Sequence, residues 1–488
     1  MLSVLIQKEL KAIILSPKFT ATFVICSLLM LLSVYIGIQE SRNSTRQYDV
    51  GRQLIEEGAR EANSWNSLRY RTYRAPDPMM VFVSGLNYDI GRWSAINSQN
   101  MVKLRNSSYS DDPIFAVFRF VDFCFIVQVV LSLFAIMFTY DAVNGEREEG
   151  TLKLVFANSV PRARYIFAKC IGGWLGLVIP ICLPILLSVL LVMLFDVPFG
   201  SDHWLRLITL IIASIAYFSF FIILGVLISS ITKRSSVSFL LSLVAWIVFV
   251  LIIPRAGVIA AGQIVPVPSV AEVEGQVQGF SKDRWASFYK AQEERWLERS
   301  KNATTGDHGT DGYQDEQLWK YLEEDDKARK SVQTEIDEFD RKLNDDLRHR
   351  RAAQERLAFT MSRVSPASLY QLAAMDLAGS DIDLKARNEA AMDVYRSDFN
   401  KFVESKQAES GPGAGAFTIQ IDTEKGVQIG SPREQATIDA GQIPTFVPPT
   451  YTLGDALSTI VLDLGLLFLF NIIAFGGAFE AFVRYDVR

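Results

Sequence analysis

Six apolar stretches divide this chain of 488 residues and constrain its fold more than any other feature. Each is long enough to cross the hydrocarbon core of a bilayer as a helix, which takes about 17–25 residues. They run from Phe19 to Ile38, Phe123 to Tyr140, Cys170 to Phe195, Leu207 to Ile231, Val237 to Ile253 and Leu457 to Phe482. The sequence therefore predicts an all-α polytopic membrane protein with six transmembrane helices.

Charged residues make up 21% of the chain and concentrate in two long insertions, at residues 39–119 and 254–456. The formal net charge of −5 argues against nucleic acid as a partner. The four cysteines lie in or beside the apolar stretches, so the insertions carry no disulfides. Hydrophobic blocks thus alternate with soluble ones.

The first apolar stretch is predicted to remain as a transmembrane helix rather than to be cleaved as a signal sequence. It is long for the apolar region of a signal sequence, and no small-residue cleavage site follows it. At the fifth stretch, Pro254 and Arg255 are predicted to end the helix. The apolar residues from Gly257 to Val267 are too few to span and are expected to be interfacial or re-entrant.

The short connecting segments predict the orientation, because Lys and Arg favour the cytoplasmic side. Basic residues are enriched at residues 1–18, 141–169, 232–235 and 483–488, whereas residues 196–206 hold one Arg against two Asp. With six spans, all the basic segments fall on one side. We expect both termini in the cytoplasm of a bacterial cell, the chain in the inner membrane, and both insertions on the outer side.

The two insertions carry different local patterns. In the first, the apolar run from Met79 to Val83 fits a strand or a segment docked on the membrane surface. In the second, spacings of three and four predict a long amphipathic helix between Gln314 and Arg363. A break is expected in it, because fifty helical residues would extend roughly 75 Å. A strand-like run at Phe417–Ile421 is predicted to belong to a loop or small hairpin that leads back to the membrane. The apolar positions of the long helix are Leu318, Leu322, Val332, Ile336, Phe339, Leu343 and Leu347.

Catalytic and metal-binding patterns are missing from the sequence. It contains no phosphate-binding loop, no His-Glu-x-x-His and no Cys-x-x-Cys. His203, His308 and His349 are scattered and are predicted to be ordinary surface residues rather than metal ligands. We predict no catalytic residue, no metal site and no cofactor bound by this chain, so any energy source must lie in another protein.

Two short segments on the predicted cytoplasmic side suggest such a partner. Residues 1–18 form an amphipathic helix around Lys8, Glu9 and Leu10, predicted to lie along the membrane, with a simple anchor for the first span as the alternative. In residues 141–169, Thr151 is expected to cap a short helix. That helix would expose Leu152, Val155 and Phe156 beside the acidic residues Glu146, Glu148 and Glu149. An exposed short helix with apolar side chains and a charged rim suits docking into a groove of another protein.

The same segments carry a family resemblance. The run Glu146-Arg147-Glu148-Glu149-Gly150-Thr151-Leu152, followed by Pro161-x-x-Arg164 and Lys169, resembles the loop between the second and third spans of ABC-2 type transporter permeases. Gln7-Lys8-Glu9-Leu10, followed by Ser16-Pro17, is similar to the elbow helix of that family. Further landmarks resemble a large-loop branch related to gliding-motility and nitrous-oxide-reductase-associated permeases. They are Pro76-x-Pro78 through Gly85, Pro254-Arg255, Arg363-x-Ser365-Pro366-Ala367-Ser368, and Arg484-Tyr485-Asp486-Val487-Arg488.

The resemblance implies a division of labour between subunits. Two permease subunits, the same or related, would pair with two copies of a cytoplasmic ABC ATPase, which binds ATP and magnesium. This chain would then not be an enzyme. The elbow residues Lys8, Glu9 and Leu10 would support the contact with the ATPase. The residues placed in the cleft of the ATPase are Glu146, Arg147, Glu148, Glu149, Gly150, Thr151, Leu152, Val155 and Phe156.

A few polar and small residues lie inside the predicted spans. Asp463 is a functional candidate, because an unpaired carboxylate in the membrane is costly; the alternative is that it lies near the outer interface and pairs with a loop arginine. Gln128 and Asn471 are expected to form hydrogen bonds between helices. Gly172, Gly173 and Gly176 predict close helix packing.

Three classes of function remain to be compared. The preferred one is a permease subunit that couples ATP hydrolysis to export or to mechanical work outside the membrane. The alternative is a membrane scaffold whose outer domain recruits envelope proteins, which would not need an exposed docking helix. A membrane-embedded enzyme would require polar groups clustered at one depth of the spans, and the sequence shows no such cluster.

Overall fold

The computed structural model describes residues 2–61, 70–96, 102–108, 121–158, 160–303, 311–409, 418–422, 426–430 and 440–484. Most of this part of the chain is helical, and six helices are long and apolar enough to cross a membrane. The predicted all-α polytopic membrane fold with six spans is confirmed. The six are Pro17–Gly58, Phe123–Glu148, Arg162–Leu194, Ser201–Ile231, Ser235–Ile264 and Leu453–Val483.

The elements are labelled here in chain order. The helices of the first half are α1 (Leu2–Ile14), α2 (Pro17–Glu61), α3 (residues 123–139), α4 (Asn144–Glu148), α5 (Thr151–Ala157), α6 (Arg162–Leu194) and α7 (Ser201–Ile231). The later helices are α8 (Ser235–Ile264), α9 (Val270–Ala303), α10 (Asp311–Ser362), α11 (Pro366–Leu377), α12 (Leu384–Glu409) and α13 (Leu453–Val483). The strands are β1 (Tyr70–Tyr73), β2 (Trp93–Ile96), β3 (Thr418–Asp422) and β4 (Gly426–Gly430).

The chain divides into two compact units. The first comprises residues 1–252 and 365–488, and the second comprises residues 253–364. The first unit contains the core of the spans. The second contains the last part of α8 together with the whole of α9 and α10.

Helix α11 is buried among the spans of the first unit, although the sequence placed it in the second insertion. Leu369, Tyr370, Ala374 and Leu377 are fully buried in the core shared with α7 and α13. The ring of Tyr370 stacks on that of Tyr217 of α7, with centroids 4.8 Å apart. The core of the bundle therefore includes a short helix that does not span.

The apolar run Met79–Val83 also enters this core. It forms neither a strand nor a surface segment, as the sequence had suggested, but continues from a 3₁₀ turn at Pro78–Val81, and all five of its side chains are buried. Gly37 of α2 permits this close approach, because a Cβ there would lie 2.3 Å from the carbonyl oxygen of Val81. The first insertion is thereby fixed to the first span.

Helix α8 continues through Pro254 to Ile264, so the prediction that Pro254 ends it is wrong. The turn before the proline, Ile247–Ile252, is π-helical. In that register the partner of residue 254 would be the carbonyl of Phe249, and proline has no N–H to donate. The hydroxyl of Ser365 donates to this carbonyl instead. A tertiary contact thus satisfies the group that the proline leaves free.

The second unit is an antiparallel helical pair. Phe280 of α9 stacks on Phe339 of α10 at 4.2 Å, and Arg284 forms an ion pair with Glu335 at 2.5 Å. Farther along, Arg295 lies 3.1 Å from Asp325. Residue numbers fall on α10 as they rise on α9, which defines the antiparallel arrangement. The amphipathic helix is confirmed, but it runs for 52 residues without the expected break.

The strands form two antiparallel hairpins. β1 pairs with β2 in the register Tyr70 to Ile96, and Ile96 packs with Met392, Tyr395 and Phe399 of α12. β3 pairs with β4, which confirms the hairpin predicted near Phe417–Ile421 except for Phe417, which lies outside the described residues.

Candidate coupling site

Helices α1, α4 and α5 meet the start of α6, the turn between α7 and α8, and the end of α13. We call this region the coupling end. Its apolar core is formed by Val143, Leu152, Tyr165, Ile166, Cys170, Val226 and Phe482. The two segments that the sequence singled out, α1 and the 141–169 connection, are therefore brought together.

A compact ion cluster joins α1, α4 and α6. The carboxylate of Glu146 lies 2.6 Å from Lys8 Nζ and 3.0 Å from Lys169 Nζ, and it accepts a hydrogen bond of 2.6 Å from the hydroxyl of Tyr165. Lys169 also lies 2.7 Å from Glu9. The side chain of Lys169 is only 5% exposed, and an ammonium group so buried is tolerated when it is paired on both sides. Glu146 is thus engaged within the chain.

The elbow helix α1 lies directly against α6. A Cβ at Gly172 would come within 2.5 Å of the Cβ of Glu9, and one at Gly176 within 3.1 Å of Ile13 Cδ1. Two of the three glycines predicted to allow close packing therefore contact α1. The third, Gly173, faces α7, and a Cβ there would lie 3.6 Å from Ile222 Cγ2. Small residues and ion pairs together fix α1 on the third span.

Helix α4 is bound to the turn between α7 and α8. The carboxylate of Glu148 accepts hydrogen bonds from the backbone nitrogen of Ser235 at 2.9 Å and from its hydroxyl at 2.8 Å. Asn144 Nδ2 donates to Thr232 Oγ1 at 2.9 Å. A displacement of α4 would therefore act on two spans directly.

The start of α5 differs from the prediction. Gly150, with φ of 75°, is the residue before the helix, and Thr151 does not cap it; the Thr151 hydroxyl donates instead to the carbonyl of Glu146 at 3.1 Å. The left-handed conformation favours glycine at this position. The tight turn orients α5 against α4.

The apolar face of α5 points into the protein. Leu152 is 1% exposed, so the prediction that it is an exposed docking residue is wrong. Val155 and Phe156 are half-buried on the same face, and the Phe156 ring lies 5.5 Å from Tyr165 and 6.0 Å from Phe482. A helix face with positions i, i+3 and i+4 can pack on its own protein as well as on a partner, and here it packs on its own.

The opposite face of α5 is exposed and carries a large apolar side chain that the sequence reasoning missed. Leu154 is 67% exposed. Lys153 and Glu149 are exposed beside it, and we call these three residues the α5 ridge. Helical periodicity in the sequence could have identified Leu154, because residue 154 lies opposite residues 152, 155 and 156 on a helix that begins at Thr151. Arg147 is half-buried, and the roles assigned to it and to the rest of the loop stay predictions.

A second ionic cluster lies at the other end of α7. Arg206, 1% exposed, forms ion pairs with Asp77 at 3.1 Å and Asp202 at 2.9 Å, and donates to the carbonyl of Leu377 of α11 at 3.3 Å. The ring of Tyr451 lies between Arg206 and Arg387, at 5.9 and 4.4 Å. We call these residues the Arg206 cluster. It joins α7 and α11 to the first insertion and to α12.

The intramembrane polar residues have defined surroundings. Asp463 is 1% exposed on α13 and interacts electrostatically with Asp376 of α11; its proposed functional role stays a prediction. Gln128 Nε2 donates to the carbonyl of Ala367 at 3.3 Å, and Asn471 Nδ2 donates to that of Ala216 at 3.0 Å. These two contacts between helices agree with expectation. In the described part of the chain, no group of three His, Cys, Asp or Glu residues could hold a metal.

Six apolar spans around a common core define a multi-pass membrane protein. The sequence model described as ABC-2 family transporter protein matches residues 3–383, and the chain belongs to that family. The match includes α1, α4, α5, α6 and α11. None of the curated proteins compared with the chain matches it. Family membership makes the chain a membrane permease subunit of an ABC transporter and implies association with an ABC ATPase subunit.

Proposed function

We propose that this permease couples ATP hydrolysis by a separate cytoplasmic ATPase to movement of its own spans, through the α5 ridge. The observation that carries the proposal is the placement of Leu154. It is an exposed leucine on a seven-residue helix whose other face is packed against Tyr165 of α6 and Phe482 of α13. A short amphipathic helix with an exposed leucine and flanking charges is suited to a groove on a partner.

The contacts of α4 and α5 support a mechanical role. The ion cluster joins Glu146 to α1 and α6, and the Glu148–Ser235 hydrogen bonds join α4 to the start of α8. Because packed elements move as discrete bodies, closure of a partner on α5 would displace these spans together. The predicted docking residues Leu152 and Phe156 would then serve to transmit motion rather than to contact the ATPase.

Helix α7 offers a route to the other side of the protein. Ser229 and Thr232 contact α4 at one end, and Arg206 lies at the other, about 35 Å away along a continuous helix at 1.5 Å per residue. The Arg206 cluster holds α11 and the first insertion there. The work performed would be export of a hydrophobic or envelope-bound substrate, or force on the insertions.

The assembly we propose contains two permease subunits, the same or related, and two ATPase subunits that bind ATP and magnesium. The chain would reside in a bacterial inner membrane with its coupling end and both termini in the cytoplasm. Its placement in the large-loop branch related to gliding-motility and nitrous-oxide-reductase-associated permeases rests on the sequence landmarks alone, of which Ser365 caps the buried α11 and Pro366 begins it.

Co-purification of the full chain with the candidate ATPase tests this function. Leu154→Asp and Glu149→Lys should abolish ATPase binding without loss of folded permease, because both side chains are exposed. The matched control is Val394→Asp on α12. It also replaces an exposed apolar side chain, 64% exposed, by aspartate, but far from the coupling end. Phe156→Asp is less informative, since Phe156 packs inside the protein.

Retention of the ATPase by both α5 ridge variants would contradict the proposal. A chain that binds no ATPase at all would instead act as a scaffold that recruits envelope proteins.

A further inference from the structure

A pocket of about 210 Å³, lined by arginine, amide and aromatic side chains, lies in the first insertion, against the extended end of α2. Ser44 and Tyr48 of α2 form one wall, Tyr73 and Trp93 of the β1–β2 hairpin form another, and Arg74 and Arg92 line it together. At about 30 Å³ per water molecule, this volume equals roughly seven waters, enough for a compact polar group.

Arg74 is a cation held mainly by neutral partners. Its Nη1 donates to Asn87 Oδ1 at 2.8 Å and its Nη2 to the carbonyl of Asn87 at 2.9 Å. The buried Nε has no hydrogen-bond partner. Burial, and then the neighbouring Arg92, lower the pKa of Arg74 to about 10. A guanidinium group has five donors, so Arg74 keeps several that the protein does not use.

Arg92 adds a second positive charge with neutral hydrogen-bond partners. It donates to Gln47 Oε1 and to Ser108 Oγ, the latter at 2.6 Å. Glu40 acts on Arg92 electrostatically. Within the described ranges, however, no carboxylate oxygen lies within 4.0 Å of a guanidinium nitrogen of Arg74 or Arg92. Arg74 and Arg92 are thus two adjacent half-buried cations, with one carboxylate at a distance, and a bound anion would offset their mutual repulsion.

The backbone at the pocket is also unusual. Asn106, which lines the pocket, has φ of 57°, one of two positive values among the described residues other than glycine. Its carbonyl accepts from the backbone nitrogen of Arg92 at 3.2 Å. Left-handed residues of this kind are enriched at ligand sites, where the surrounding structure holds them.

We propose that this pocket is a binding site for a phosphate group. A phosphate presents three or four acceptor oxygens, which match the spare donors of two guanidinium groups better than the two oxygens of a carboxylate do. Tyr48, Tyr73 and Trp93 provide flat apolar surface for whatever carries the phosphate.

Two sources of phosphate fit this location. Ser44 follows the predicted end of the first span at Ile38 by six residues, about 9 Å along α2 at 1.5 Å per residue. A phospholipid headgroup is therefore within reach, and a soluble phosphoester is the second source.

The test measures binding of radiolabelled inorganic phosphate to the full chain in a neutral detergent, at constant ionic strength. We expect saturable binding that weakens at least tenfold in Arg92→Gln and Arg74→Gln. The matched control is Arg105→Gln, which removes an equal charge from an exposed neighbour outside the pocket and should leave binding unchanged. Should Arg74→Gln fail to fold, Arg92→Gln, which is half-buried and nearer the surface, keeps the test decisive.

A second arm uses nanodiscs of phosphatidylglycerol or of phosphatidylcholine, with bound lipid counted by native mass spectrometry. Retention of phosphatidylglycerol that depends on Arg92 assigns the site to a headgroup, whereas binding of free phosphate alone assigns it to a soluble ligand. Either result supports the site. Absence of both kinds of binding in the unmodified protein, or equal loss in Arg105→Gln, would overturn it.

Discussion

Replacing Lys169 by methionine should release α1 from the bundle. Lys169 is the buried cation between Glu9 and Glu146, whose side chains are 15% and 12% exposed. Removing it leaves two largely buried carboxylates with only Lys8 beside them. Breaking a buried ion pair in this way costs about 3–5 kcal/mol in unfolding free energy. Lys8→Met should cost only about 0–1 kcal/mol, because the side chain of Lys8 is 50% exposed.

The assay combines denaturant unfolding in mixed micelles with hydrogen exchange of the α1 amides. In Lys169→Met, protection of residues 2–14 should fall while that of α7 is kept. Lys153→Met on the exposed face of α5 is the matched control for loss of one lysine. Adding Glu9→Gln and Glu146→Gln to Lys169→Met should restore much of the loss, since no buried charge then lacks a partner. The reasoning is refuted if Lys169→Met costs no more than Lys8→Met.

Three further substitutions test other parts of the structure. Gly150→Ala should lower the unfolding free energy by about 1–2 kcal/mol through its left-handed φ alone, since no atom lies within 4 Å of the added methyl. Thermal unfolding of this variant is compared with that of Gly275→Ala, where the added methyl in the interior of α9 also meets no atom within 4 Å. Arg206→Met should lower the unfolding free energy by about 1–3 kcal/mol, because the Leu377 carbonyl loses its donor while Asp77 and Asp202 are partly exposed to solvent; an effect as small as that of Arg105→Met would contradict this. Ser365→Ala should cost about 1–3 kcal/mol by leaving the Phe249 carbonyl unpaired, and infrared spectra of labelled Phe249 carbonyl should show the lost hydrogen bond.

The sequence predicted the features that depend on composition over a long window. The six spans follow from hydropathy, and α10 follows from apolar spacing that leaves Ile336 and Leu347 buried on one face. The glycines of the third span indicated a close contact, although not that α1 would be the partner. Each of these signals is local and repeats over several turns.

The remaining features depend on contacts between distant residues. The continuation of α8 through Pro254 needs a hydroxyl from residue 365, and Glu146 is paired with a lysine 138 residues away. The burial of α11 could not be predicted from 12 residues, because an apolar face of that length also fits a surface helix. For the same reason the face of α5 that carries Leu152 was assigned to a partner instead of to the protein's own core.

Under the proposed function, the acidic residues of the 141–169 connection would have two roles, and the sequence alone does not distinguish the residues of each role. Glu146 and Glu148 bind α1, α6 and the start of α8, whereas Glu149 faces outward beside Leu154. The first two therefore determine how firmly α4 is attached to the spans, and in the proposed function the third would influence which partner docks. A charge reversal at Glu149 should change partner binding alone, while one at Glu146 should loosen α1 even in the absence of a partner. The proposed coupling requires both properties, because a docking helix moves the spans only when the partner holds it and when its own attachment to the spans does not yield.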